Sequence, residues 1–197
     1  MPRKPRELVD GGCYHLIARG NNRQALFTSD EAFRYFLDLL ARAQARHPAQ
    51  LYHYCLMSNH IHLLLAIGRA EGLPKFMQFV LQGYGRWFQA RFCYVGHVWQ
   101  GRYKSPRVAK ESYFLEAGRY IERNPIRAGL VTNPCDYPWS SYRAYACGEA
   151  NPLLTEDPYY ADLGSTPAKR QAAYRKFVQL ESPYATMLDE ELVKSFF

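Results

Sequence analysis

The chain has 197 residues, 48% hydrophobic and 22% charged, enough for one domain with a sizeable core and incompatible with a disordered tail, a collagen-like fibre or a coiled coil. Its longest apolar run, Ile61 to Ile67, is strand-sized and far short of the roughly 20 residues of a membrane span. Charge is uneven: residues 1–130 hold 19 of the 25 Lys and Arg and 9 of the 18 Asp and Glu, whereas the remainder is net acidic. Basic residues interleaved with Tyr, Trp and Phe make a phosphate-tracking surface with stacking rings an alternative to a plain solvated basic face.

In chain order, Tyr14–Arg19 reads as a short strand closed by the turn cluster Gly20-Asn21-Asn22. Ser29 or Asp30 caps a predicted helix to about Arg46, with Phe33, Phe36, Leu37 and Leu40 at helical spacing and His47-Pro48 as the stop. Leu51–Met57 and His60–Ile67 are predicted strands, joined as a hairpin through Ser58-Asn59, and the second carries an unbroken aliphatic row at alternate positions. Leu73 to about Phe92 returns to helix, an extended segment follows over about 97–109, and a helix from about Ser112 is expected to end at Asn124 because Pro125 disfavours helical geometry in the residue before it. A last amphipathic helix is expected near Pro167–Leu180. This order predicts an α+β fold, an antiparallel sheet with helices banked on one face, with a main domain over residues 1–130 and a C-terminal extension over 131–197 packed on it.

Strand alternation puts His60 and His62 on one face, with Cα atoms roughly 6–7 Å apart, able to converge on one divalent ion. Tyr120 and Asn124 share one helix face, so an amide oxygen suited to magnesium or manganese lies one turn from a tyrosine hydroxyl. The bland alternative is a buried tyrosine with Asn124 as an ordinary helix cap. Tyr84, the other tyrosine weighed against Tyr120, sits within an aromatic stripe and reads as core packing. His15 reads as an ordinary strand histidine, Trp139, Ser140 and Ser141 as structural, and His53 and His97 have no assigned role. Arg19, Asn21, Asn22 and Arg23 on the turn, and Trp99, Arg102, Tyr103, Lys104 and Arg107 on the extended segment, are candidate nucleic-acid contacts: the cations for phosphates, the rings for unpaired bases. The Arg3-Lys4-Arg6 arm reads equally as a groove contact or a solvated tail. The five cysteines are odd in number and lack CxxC spacing, which argues for reduced thiols rather than a disulfide framework or a zinc site. The basic start has no apolar stretch behind it, so a cytoplasmic protein with no membrane association is expected.

Several separated segments, YHLIARGNNRQ at 14–24, YHYCLMSNHIH ending at His62, WQGRYKS at 99–105, YIERNPIRAGLV at 120–131 and DYPWSSY at 136–142, resemble the REP-associated tyrosine transposases, single-tyrosine members of the HUH endonuclease superfamily. The resemblance spans about residues 5–145 and is loose beyond that. It implies a ferredoxin-like or RRM-like domain in which His60 and His62 are the metal pair, Asn124 the third ligand, Tyr120 the nucleophile and magnesium or manganese the cofactor. The implied activity is cleavage and rejoining of single-stranded DNA at palindromic REP-type hairpins through a 5′-phosphotyrosine. Two other classes stay open: a hairpin-binding regulator that does not cut, and a replication- or relaxase-type HUH nuclease, for which Tyr113 would be a second tyrosine. The residues do not decide between monomer and homodimer.

Overall fold

In the computed structural model, which describes residues 6–108 and 114–180, the alternating segments form β1 (Cys13–Arg19), β2 (Ala49–Met57) and β3 (His60–Ile67). They make an antiparallel sheet in the order β1-β3-β2, with β2 and β3 as the expected hairpin. The free edge of β1 is covered by residues 98–108, where the Ile17 N–H donates to the Lys104 carbonyl at 3.1 Å and the Lys104 N–H returns a bond to the Ile17 carbonyl at 2.8 Å. This edge segment occupies the place of a fourth strand, which completes the split βαβ arrangement of a ferredoxin-like fold.

Helix α1 (Asp30–Arg46) starts where Ser29 Oγ accepts the Ala32 N–H, with Asp30 and Glu31 favourably placed in its first turn. Helix α2 (Gly72–Phe92) packs beside it on the aliphatic face of the sheet, where Leu16, Ile61, Leu63 and Leu65 meet Phe36, Leu40, Phe76 and Val80 in one core. Tyr84 is fully buried there, its ring against Phe27 and Phe36 and its hydroxyl donating to the Leu26 carbonyl at 2.7 Å, which accounts for it as packing.

Helix α3 (Phe114–Arg127) corrects the sequence-based expectation in two ways. It lies on the opposite face of the sheet, because that face also carries buried apolar side chains, Cys55 and Leu64 among them, which Ala117, Tyr120 and Ile121 cover. It also runs through Pro125 instead of stopping at Asn124. Proline lacks the N–H that would bond the Ile121 carbonyl one turn back, and the Asn124 side-chain amide supplies the substitute, with Nδ2 donating to the Ile121 carbonyl at 3.1 Å and to that of Tyr120 at 2.9 Å. The expected start of this helix, with Tyr113, and residues Arg3 and Lys4 of the basic arm lie outside the described residues. Arg6 donates to the Tyr103 carbonyl at 2.8 Å and sits over the Tyr103 ring.

After α3 the chain follows the outer edge of β2, the Leu56 N–H donating to the Trp139 carbonyl at 2.9 Å and the Ser141 N–H to the Tyr54 carbonyl at 3.0 Å. Helices α4 (Tyr142–Cys147) and α5 (Pro167–Gln179) then close a third cluster of Tyr142, Tyr145, Tyr160, Tyr174 and Val178 behind α3. Among the described residues no helix is long and apolar enough to cross a membrane.

Candidate active site

The histidine face of β3 meets α3. The rings of His60 and His62 stand 5.0 Å apart between centroids, and the Tyr120 ring approaches that of His62 edge-on at 5.8 Å. Both imidazoles are oriented by neighbours through Nδ1: His60 against Asn59 Oδ1 at 2.6 Å, His62 against His15 Nε2 at 2.9 Å. With Nδ1 protonated in each, the Nε2 lone pairs are free to coordinate, the arrangement by which an outer partner fixes the tautomer of a ligating histidine. Burial, together with the charge of Arg19, lowers His60 to about 4, and burial with His60, His15 and Arg127 holds His62 well below the usual histidine range, so both are neutral imidazoles at physiological pH.

His15, read from the sequence as an ordinary strand residue, is therefore part of the site. It is fully buried, lies 5.7 Å from the Tyr120 ring, and burial lowers it to about 3. Its Nδ1 is a buried polar atom without a hydrogen-bond partner, a cost of roughly 1–3 kcal/mol that packing alone gives no reason to retain.

On α3, Tyr120, Asn124 and Arg127 share one face. Because both Asn124 Nδ2 bonds go to helix carbonyls, Oδ1 is the end left to act as a ligand. Two neutral imidazoles and one amide oxygen fit a hard divalent ion that keeps positions for water and phosphate. Among the described residues no cluster of three or more His, Cys, Asp or Glu suitable for a metal occurs. The Arg127 guanidinium stands over the Tyr120 ring at 5.0 Å. It went unrecognised in the sequence because the helix was expected to end before it. A continuous helix puts 120, 124 and 127 on one stripe.

The candidate DNA contacts separate into two groups. Asn22 and Arg23 are exposed on a short 3-10 turn with φ of 50° and 57°, Asn21 and Arg19 are half-buried, and Arg19 Nε donates to Gln100 Oε1 at 2.8 Å. Arg102 and Arg107 are exposed and Lys104 is half-buried on the edge segment. The two rings are not equivalent to these. Tyr103 is buried in the core with Arg6 stacked on it, which corrects its expected role as a platform for bases. Trp99 is anchored through its indole N–H to the Leu81 carbonyl at 2.8 Å and lines a cleft of about 550 Å³ between α2 and the edge segment, with Asn21, Gln82, Arg86 and Gln89.

Behind the site, a buried polar cluster holds α3 against the sheet. His53 of β2 bonds Glu122 of α3 through Nδ1 and Asp157 through Nε2, both at 2.9 Å, and Ser141 and Tyr174 donate to the two Glu122 oxygens at 2.5 and 2.7 Å. Burial alone would lower His53, but its hydrogen bonds to Asp157 and Glu122 and their charges outweigh it and raise it to about 9. His53 is thus a buried cation shared by two carboxylates, one of them on Glu122 two residues after Tyr120, and Ser141, read as structural, donates to that same Glu122.

The description "Transposase IS200 like" fits residues 9–124, a span that includes His15, His60, His62, Tyr120 and Asn124. A solved structure of a REP-associated tyrosine transposase bound to a REP hairpin is similar with a TM-score of 0.65 and 15% identity, over 79% of this chain and 91% of that one. A Deinococcus radiodurans protein described as a transposase is 23% identical, covering 62% of this chain and 97% of its own, with a TM-score of 0.43. No curated protein matches the chain.

Proposed function

Because the chain belongs to the IS200-like transposase family, we propose that it nicks and rejoins single-stranded DNA at palindromic hairpins of the REP type, with Tyr120 as nucleophile. The observation that carries this reading is the meeting of Tyr120 with His62 across the interface between α3 and β3, with Arg127 of the same helix over the Tyr120 ring. The phenol oxygen attacks phosphorus, the bond to the 3′-oxygen breaks, and the proton lost by the phenol is balanced by protonation of the departing 3′-oxygen, which leaves as a hydroxyl. The product is a 5′-phosphotyrosine, whose bond energy allows rejoining to another 3′-hydroxyl without ATP.

A tyrosine hydroxyl has an ordinary pKa near 10, so the site must favour the phenolate and the charge that develops on phosphate. Arg127 over the ring places one guanidinium charge at the phenol, and Arg19 beside His60 places a second at the histidine pair. His60, His62 and Asn124 would hold magnesium or manganese, which when bound polarises a non-bridging phosphate oxygen. The tautomers of His60 and His62 are kept by Asn59 and His15, so the ligand atoms are preorganised. Arg23, Arg102 and Arg107 on the turn and edge segment supply exposed charge for the flanking phosphates. The structural relative is bound to a REP hairpin, which supports that substrate class for this chain.

Labelled hairpin oligonucleotide with manganese should give a denaturation-resistant protein–DNA band that disappears with chelator and in Tyr120→Phe. A band that persists in Tyr120→Phe would refute the assignment of the nucleophile. Tight hairpin binding without any band in the unaltered protein would make the chain a binder.

A further inference from the structure

We propose that Cys135 and Cys147 are a thiol–disulfide pair that closes reversibly across the segment docked on β2. The five cysteines are free, but these two have Sγ atoms 3.1 Å apart, inside van der Waals contact. Both are held by rigid surroundings. Cys135 lies in the 3-10 turn Pro134–Asp136, where its N–H donates to the Asn133 side chain at 3.1 Å and its carbonyl accepts from Arg143 Nε at 2.7 Å. Cys147 is the last residue of α4, which Gly148 terminates in a left-handed conformation with φ of 73°. The pair is therefore presented by the fold, not by chance approach of two mobile side chains. Cys147 is exposed and Cys135 half-buried, so an external reagent reaches Cys147 first.

The reaction is exchange with a low-molecular-weight disulfide. The Cys147 thiolate attacks one sulfur of that reagent and expels one thiol, giving a mixed disulfide. Cys135 then attacks Cys147 Sγ and expels the second thiol. The two protein thiols are oxidised, the small disulfide is reduced to two thiols, and the two protons lost by the protein are carried by them. The remaining cysteines are placed differently: Cys55 is buried in the sheet, Cys13 is half-buried, and Cys93 is exposed at the end of α2. The closed loop contains Trp139 and Ser141, whose backbones pair with β2, and the Ser141 side chain also bonds Glu122 of α3. Oxidation thus staples the chain segment that braces the helix carrying Tyr120. The inference concerns the extension and stands whether or not the chain cuts DNA.

The test is equilibration of the full chain in glutathione buffers of graded redox ratio, followed by alkylation and peptide mapping. The expected product is one Cys135–Cys147 linked peptide, formed at redox ratios where Cys93 still alkylates or carries only glutathione. In Cys135→Ser, Cys147 should retain glutathione as a stable mixed disulfide. Oxidation should raise the melting temperature of the unaltered chain by on the order of 5–10 °C, the scale for closing a loop of about a dozen residues, and leave Cys147→Ser unmoved. Glutathione retained on Cys147 of the unaltered chain with Cys135 still alkylatable, or both thiols alkylating at the ratio that modifies Cys93, would overturn the proposal.

Discussion

Titration of His53 is expected to loosen the attachment of α3 from pH 6.5 upward. His53 faces Glu122 from α3 and Asp157 from the extension, with Tyr145 of α4 stacked at 4.5 Å and Tyr174 of α5 at 6.5 Å. Its folded pKa is raised from 6.5 to about 9, so the stabilisation is complete below pH 6.5 and is lost as pH rises through 9. A shift of that size corresponds to on the order of 3 kcal/mol, with a slope of about 1.4 kcal/mol per pH unit in the window between. For a chain of this length that amounts to a fall of roughly 6–12 °C in melting temperature. The assay is thermal unfolding from pH 6 to 10 of the unaltered chain and of His53→Gln under reducing conditions. Thiols ionise in the unfolded chain near the top of this range, so the difference between the two proteins is the quantity to read. His53→Gln should be less stable at pH 6.5, and the gap should narrow towards pH 9.5. A constant gap across the range, or a melting temperature of the unaltered chain that is flat from 6.5 to 9, would show that His53 is not the shared cation.

Three further perturbations follow from the site. Arg127→Ala should reduce the rate of adduct formation by on the order of 100-fold while hairpin affinity changes much less, because the guanidinium stands over the Tyr120 ring proposed as nucleophile; equal losses in binding and rate would assign it to substrate positioning. His15→Phe, which removes the partner of His62 Nδ1 while filling the space, should weaken manganese binding by about 10–100-fold as read by calorimetry, and unchanged affinity would remove His15 from the site. Gly118→Ala would bring a methyl group to 2.6 Å from His53 Nε2, and since ring and helix are both held, urea unfolding should show a loss of roughly 1–3 kcal/mol.

The parts of this fold that could be read in advance are those set by neighbours along the chain. The alternation in His60–Ile67 specifies a strand with two different faces, Ser29 before Asp30 and Glu31 specifies a helix start, and the Ser58-Asn59 turn leaves two strands no partner nearer than each other. The pairing of His60 and His62 belongs to this class. The end of α3 does not, because the rule that proline stops a helix is outweighed when a side chain supplies the missing donor, as Asn124 does. Misplacing that end hid Arg127.

His15 and His53 carry no mark in the text around them. What distinguishes each is a partner supplied by another element, His62 across the β1–β3 pairing for the first, and Glu122 and Asp157, 69 and 104 residues away, for the second. Tyr103 and Arg107 look alike as candidates on one extended segment, yet one is buried and the other exposed because β1 takes up that segment as an edge. Local periodicity thus specified the strands, the helices and the histidine pair. Which face α3 covers, and so which phenol and guanidinium come up to those imidazoles, was settled by the apolar area on both sides of the sheet, a quantity that exists only once the strands are paired.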